Sequence, residues 1–334
     1  MIDVGKLSYR LMVVDEGGGQ YDLKDFATRI GWEENASELA ARLTFQCCNR
    51  IPSGYLSDLV KLGCLAVVYA SDGIKEEEAV RGYIKDWNPV VSASEDTFDV
   101  TAYDELYALQ KSQDSVYIPA GMTTQSALGQ ILDPWGISVD YQGPEVVHGK
   151  LKYQNRALVD CMLDILSDAR EKGGTECIIR AEKGLLQVRP KGTNQDVYVF
   201  GADNSVKLSH KRSISNMVTR VKVVGRETND GRYPVEAVVD GETKFGVLQK
   251  VIAREKSQTM EEARTAALEI LKEEGQLDEK ITLRLPDVPY VRKGDLIYVN
   301  NVCGINGYLE VLSVQHDVDT VSMTVTAQPS MEGG

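Results

Sequence analysis

The side chains in this sequence with the chemistry for catalysis or metal binding are three histidines, six cysteines and several adjacent acids. His148, His210 and His316 lie far apart along the chain, and none sits at the short spacing from a cysteine that marks a zinc site. The cysteines are Cys47, Cys48, Cys64, Cys161, Cys177 and Cys303, with no C-x-x-C pair among them. Most have apolar neighbours, as in Cys161-Met162-Leu163, so they read as free thiols used as small core residues, which implies folding in a reducing compartment. A Cys/His nucleophile pair would meet only in the fold, yet Cys47-Cys48 ends an alternating strand, where packing is the simpler role. Glu33-Glu34 and Glu76-Glu77-Glu78 could supply the paired carboxylates of a glycosidase, but the runs read as solvated loop or helix faces. His316, in Val314-Gln315-His316-Asp317, is a ligand or base by type and a structural histidine at a strand end by context. The sequence has no H-E-x-x-H, G-x-S-x-G, Walker or G-x-G-x-x-G motif. Gly17-Gly18-Gly19 lacks the Lys and Ser/Thr of a phosphate loop and reads as a turn. No catalytic, cofactor-binding or metal residue is assigned, and a non-enzymatic protein without cofactors is expected.

The elements that would position any site come next. The chain has 334 residues, 43% hydrophobic and 26% charged, enough for two or three globular domains with real cores. The net charge of -13 and the absence of any Lys/Arg block longer than two argue against a general nucleic-acid binder. The acidity serves solubility, or it makes a wall past which DNA slides. The start, Met1-Ile2-Asp3-Val4-Gly5, lacks the basic and apolar regions of a signal peptide. No run approaches the ~20 apolar residues of a membrane-spanning segment. Synthesis in the bacterial cytoplasm is expected, with any exit as part of an assembly.

Residues 1–115 read as strands: Leu7–Val14, a turn at Glu16–Gly19, then Ala40–Cys47 and Thr97–Ala102 with period two, closed by a short helix over Tyr103–Lys111. Residues 116–212 read as a small α+β domain. Thr123 opens a helix that Asp133-Pro134 stops; a second starts near Asn155, carries Leu158, Met162, Ile165 and Leu166 on one face, and ends at Gly173-Gly174. A hairpin over Cys177–Ile179 and Leu185–Val188 and a strand at Val197–Phe200 follow. Residues 213–334 return to strands, Met217–Val224, Pro234–Val239 and Ile281 onward, around one inserted helix that begins with a capping box, Thr259 and Glu262.

The first and third segments repeat one another. Val60–Leu65 matches Val291–Leu296, Gly82-Tyr83-Ile84 matches Gly307-Tyr308-Leu309, and Asp96–Ala102 matches Asp319–Ala327, in the same order. This predicts a mainly β fold in which two similar small β-barrel domains flank a small α+β domain, barrel closure protecting the strand edges.

These motifs carry a resemblance. Gly246-Val247-Leu248-Gln249, the helix from Thr259, Arg292-Lys293-Gly294-Asp295, Gly307–Val311, Val314-Gln315-His316 and Met323 follow the order seen in the C-terminal barrel of the phage-like tail protein family of Bacillus and Clostridium prophages. Thr101–Leu106 with Leu109–Ser112 resembles the end of that family's first barrel, and Thr123–Ala127 with Ile131-Leu132 the start of its middle domain. The resemblance implies the baseplate hub of a contractile tail, belonging to a complete phage or a bacteriocin. It implies a homotrimer that joins a six-fold tail tube protein to a three-fold spike protein among other baseplate proteins, with DNA only passing through its channel. Two similar barrels taken three times give the six-fold face. The chemistry-bearing alternative is a tail-associated cell-wall hydrolase; a secreted carbohydrate-binding β-protein fits the cysteines and the chain start less well.

Overall fold

The computed structural model describes residues 4–330 except 37, 53, 93, 202–206, 229, 255–258 and 303, so Cys303 lies outside the described residues. The chain forms two compact units, one of residues 1–208 with 282–334 and one of residues 209–281.

In the larger unit, β1 (Ser8–Val14), β2 (Gln20–Asp22), β3 (Ala27–Glu34) and β4 (Arg42–Cys48) precede a meander of β5 (Leu65–Ser71), β6 (Glu76–Val91) and β7 (Asp96–Tyr103). Alternation drives these strands: Leu43, Phe45 and Cys47 of β4 and Phe98, Val100 and Ala102 of β7 turn one face into a shared core. A short helix, α1 (Leu106–Lys111), then leads to α2 (Thr124–Leu132), β8 (Val139–Tyr141), α3 (Leu158–Glu171), β9 (Cys177–Glu182), β10 (Leu185–Pro190) and β11 (Tyr198–Gly201). In this middle part β10 lies between β8, parallel, and β9, antiparallel, with Leu128, Met162, Ile165 and Val188 in one core.

The smaller unit begins in β12 (Lys207–Ser213), continues through β13 (Arg220–Val224), β14 (Val235–Asp240), β15 (Gln249–Ala253) and α4 (Met260–Glu274), and ends in β16 (Asp278–Pro286). Here β13 is central, and α4 covers Val221 and Val223 with Ala263, Ala267 and Leu271. The expected capping box is present: the Glu262 N–H donates to Thr259 Oγ1 at 3.2 Å and the Thr259 N–H to Glu262 Oε2 at 2.6 Å. At the unit's ends, Glu279 accepts hydrogen bonds from His210 and Arg212.

Back in the larger unit, β17 (Leu296–Val302), β18 (Ile305–Asp317) and β19 (Ser322–Pro329) form a second meander. One continuous sheet carries both meanders in the order β16-β19-β18-β3-β4-β7-β6-β5-β1-β2. The fold is thus mainly β with α+β insertions, as expected. The two closed barrels are not: no pairing joins the ends of this path among the described residues. The physical reason is that β18 gives its outer edge to β3, from Val314↔Glu34 to Asp317↔Gly31, so the two repeats merge into one sheet.

The repeat itself is visible as identical backbone geometry. Gly63 and Gly294 both adopt positive φ, +88° and +85°, which favours glycine. The Gly63 N–H donates to the Ile84 C=O at 2.9 Å and the Ile84 N–H to the Cys64 C=O at 2.9 Å; Gly294, Val311 and Asp295 repeat the pattern at 2.8 and 2.9 Å. A register shift then follows Ile84, before Asp86↔Thr101, and Val311, before Ser313↔Thr326. Gly82-Tyr83-Ile84 therefore corresponds to Leu309–Val311, two residues beyond the match read from sequence. A slip of two leaves every side chain on its own face, so alternation alone does not detect it.

Three local expectations change. Tyr103 ends β7, paired with Arg42, and the helix after it starts only at Leu106. Asn155 does not cap α3: it has φ +47°, and Arg156-Ala157 pair with Gln113-Asp114 before the helix begins at Leu158. Glu76–Glu78 and Glu33-Glu34 stand on strands β6 and β3 rather than on solvated loops or helices.

Candidate functional site

The densest polar chemistry of the larger unit lies where β3 meets β18 and the turn before β17. Glu34, at the end of β3, is 5% exposed. Its Oε1 accepts from Arg292 Nε at 2.5 Å and its Oε2 from the Lys293 backbone N–H at 3.2 Å. Arg292 Nη1 also donates to the Ala181 C=O at 2.8 Å, while Lys293 Nζ donates to the Asn35 and Glu38 carbonyls at 2.9 and 2.7 Å. Asp295 accepts from Arg180 Nη1 at 3.1 Å and from the Arg292 N–H at 2.9 Å. The tight turn that reverses the chain into β17 thus ties β3, β9 and the second meander together.

Burial and charge compete here. Burial pushes the Glu34 carboxyl up, but the attraction and hydrogen bond of Arg292, helped by Lys293, outweigh it and hold it below the usual range. Burial wins at Asp295, which is raised, and at Arg180 and Lys293, which are lowered. At Asp104, burial raises the carboxyl to about 7 against the Ala41 N–H that it accepts at 2.9 Å.

A second polar cluster lies two residues along the same pair of strands, where His316 is paired with Trp32. His316 of β18 stacks on Trp32 of β3, ring centroids 4.4 Å apart. Its Nδ1 lies 2.6 Å from Asp287 Oδ1 and its Nε2 3.1 Å from the Val291 C=O. Asp287 also accepts from the Tyr9 hydroxyl. His316 and Asp287 have no side-chain exposure. A substrate cannot reach a pair closed to solvent, so the cluster locks the β3–β18 seam. His316 lies at the end of β18, next to its last residue Asp317, where the sequence places it.

The remaining candidates from sequence stay apart. His148 is buried in the middle part, 2.6 Å from Asp168 and 3.0 Å from Thr124 Oγ1. Cys47 is buried, which pushes its thiol up to about 12, and Cys48 beside it is exposed. Glu78 pairs with Arg81, and Glu33 with Arg42. Among the described residues no group of three or more His, Cys, Asp or Glu could hold a metal ion, and no helix is long and apolar enough to cross a membrane. A shallow cleft beside the junction is lined by Glu78, Arg81, Asp104, Glu105, Glu182 and Arg292. Of its acids, Glu78 pairs with Arg81, and Asp104 accepts from the Ala41 and Leu106 backbone N–H groups. Sequence reasoning missed the Glu34–Arg292 and Asp287–His316 pairs. Glu34 and Arg292 stand 258 residues apart, with no local signal linking them.

The fold is that of prophage tail proteins. The structure of the 43 kDa tail protein of prophage MuSo2 from Shewanella oneidensis matches with a TM-score of 0.71 at 15% identity, covering 96% of this chain and 98% of that one. A tail protein from Neisseria meningitidis MC58 matches with a TM-score of 0.69 at 14% identity, covering 96% of each chain. The E. coli c3393 protein, a component of the type VI secretion system described as structurally similar to T4 tail proteins gp27 and gp5, matches at 0.52 and 10% identity, covering 92% of this chain and 74% of that one. No curated protein sequence matches. A family model described as YQBQ-like matches residues 30–327, and the chain belongs to that family.

Proposed function

We propose that this protein is a structural component of a phage-like tail, the baseplate hub, acting as a homotrimer between the tail tube and the spike. The observation that carries this reading is the edge-to-edge joining of two meanders of the same geometry in one chain, through β3 and β18. Three copies bring six such meanders together, which suits a tube of six-fold symmetry, while the two repeats differ in detail and leave three-fold symmetry for the spike. The similarity of a type VI secretion relative to T4 gp27 and gp5 supports placing the chain at the spike end. The buried ion pairs hold the seam rigid, a structural use of charge that needs no turnover. The protein is made in the bacterial cytoplasm and incorporated into the particle, with DNA only passing through. Gold labelling of an epitope-tagged copy on intact tails tests the reading. Label confined to the baseplate end supports it; label along the tube, or none on the particle, refutes it.

A further inference from the structure

The sheet of the smaller unit has two faces, and α4 takes one. Val221 and Val223 of β13, Ala237 and Val239 of β14 and Ile252 of β15 share a core with Ala263, Ala267 and Leu271 of the helix. Alternation sends the residues between them to the opposite face. The register fixes which these are: Lys222 of β13 stands between Val238 of β14 and Val251 of β15, and Val224 stands between Val235 and Ala253. A sheet with one face in water ordinarily carries polar side chains there. This face carries valines: Val235, Val238 and Val251 are 53%, 46% and 53% exposed.

Lys222 sits in the middle of this apolar surface and is half-buried. The other half-buried cations of the unit each have a carboxylate: Arg220 pairs with Asp240, Lys250 with Glu274 and Arg254 with Glu236. Lys222 has none among the described residues. Its two cross-strand neighbours are valines, the setting in which a lysine covers apolar surface with its stem and presents its ammonium outward.

We infer that this face docks a different protein of the tail, one whose apolar surface carries a carboxylate placed to meet Lys222. The inference rests on the reading above that the chain is built into a tail. Two arguments choose this occupant over a second copy of the chain. A two-fold contact of the face with itself sets Lys222 against Lys222, and like charges brought together repel. The patch is also small, with Val224, Val235, Val238, Val251 and Ala253 around one lysine, whereas a free-standing interface takes about 20–30 residues a side. A surface of this size suits a partner that other contacts of the particle already hold in place. The valines exclude water from the contact, and the single cation selects the partner, because an apolar surface without an acid leaves Lys222 desolvated and unpaired.

Zero-length cross-linking of intact tails that carry the full chain tests this. A water-soluble carbodiimide joins a lysine amine to a carboxylate as an amide and takes up the water itself. The expected product, read by peptide mass spectrometry, is Lys222 joined to an Asp or Glu of another tail protein, and it is lost in Lys222→Arg, which keeps the charge but forms no amide. Val238→Thr combined with Val251→Thr keeps the side-chain shape and makes the face polar. It is expected to lower the cross-link per incorporated chain at least fivefold while leaving the unfolding midpoint of the isolated chain unchanged. Lys222 joined to a second copy of this chain overturns the choice of occupant. Tails that contain the chain but give no cross-link at Lys222, or an undiminished yield from the double threonine variant, overturn the docking assignment and leave the hub reading standing. Tails that lack the chain altogether fail the hub reading itself.

Discussion

Replacing Arg292 by methionine tests whether the ionic junction holds the seam. The side chains of Arg292 and Glu34 are 13% and 6% exposed, so both charges are largely removed from water. Arg292→Met keeps similar bulk but leaves the Glu34 carboxylate with only the Lys293 N–H at 3.2 Å, and strips the Ala181 carbonyl of its donor. Removing one member of a buried pair costs about 3–5 kcal/mol, because the remaining charge is stranded. That is a loss of roughly two to four powers of ten in the folding equilibrium of the larger unit. Urea unfolding followed by tryptophan fluorescence reads it, since Trp32, Trp87 and Trp135 all belong to the larger unit and Trp32 lies on the same strand as Glu34. Glu34→Leu combined with Arg292→Met removes both charges and should recover most of the loss, to within about 1 kcal/mol of the parent. The sign with pH follows from the lowered Glu34 carboxyl. Its stabilisation is present above its unfolded value of 4.5 and is lost as pH falls below it, so parent and single variant converge in acid. A single variant costing under about 1 kcal/mol, the worth of an exposed pair, or a double variant as damaged as the single one, would refute the reasoning.

Other consequences can be measured on the same protein. A Cβ at Gly31 would meet the His316 carbonyl oxygen at 2.8 Å, so Gly31→Ala should push β3 from β18 and cost about 1–3 kcal/mol; an unchanged unfolding midpoint contradicts this. Thiol labelling by mass spectrometry should modify Cys48 in the native protein and Cys47 only on unfolding, since burial raises Cys47 to about 12 and excludes reagent; equal rates contradict that assignment. Burial raises Asp104 from 3.8 to about 7, so its contribution is fully present below pH 3.8 and is lost as pH rises to 7. Asp104→Asn should flatten the stability profile across that window, and an unaltered slope refutes the shift.

Local chemistry made much of the fold legible. The alternation of Leu43, Phe45 and Cys47, the Thr123 cap and the Thr259–Glu262 box depend on neighbours in sequence, and each forms where it was expected. The repeat was legible too, because Gly63 and Gly294 mark the same turn before the same strand. Its fine register was not, since a two-residue slip preserves the faces and only backbone hydrogen bonds fix it. Closure was misjudged because the fate of a strand edge depends on a partner elsewhere: β18 turns to β3, nearly the whole chain away. The junction was hidden for the same reason. Nothing around Glu34 shows that it ends buried against Arg292, and a pair of adjacent glutamates on a half-buried strand looks solvated until the other wall is known. Asn155 misled because an amide side chain favours a left-handed turn as readily as a helix cap.

The central claim, a chain built to assemble in threes, is tested most directly by its mass in solution across a concentration range, measured by light scattering and followed by imaging of the heaviest species. The account predicts a species of three chains, with images showing a ring around a central hole. A strict monomer at high concentration, or an assembly in twos, would contradict it.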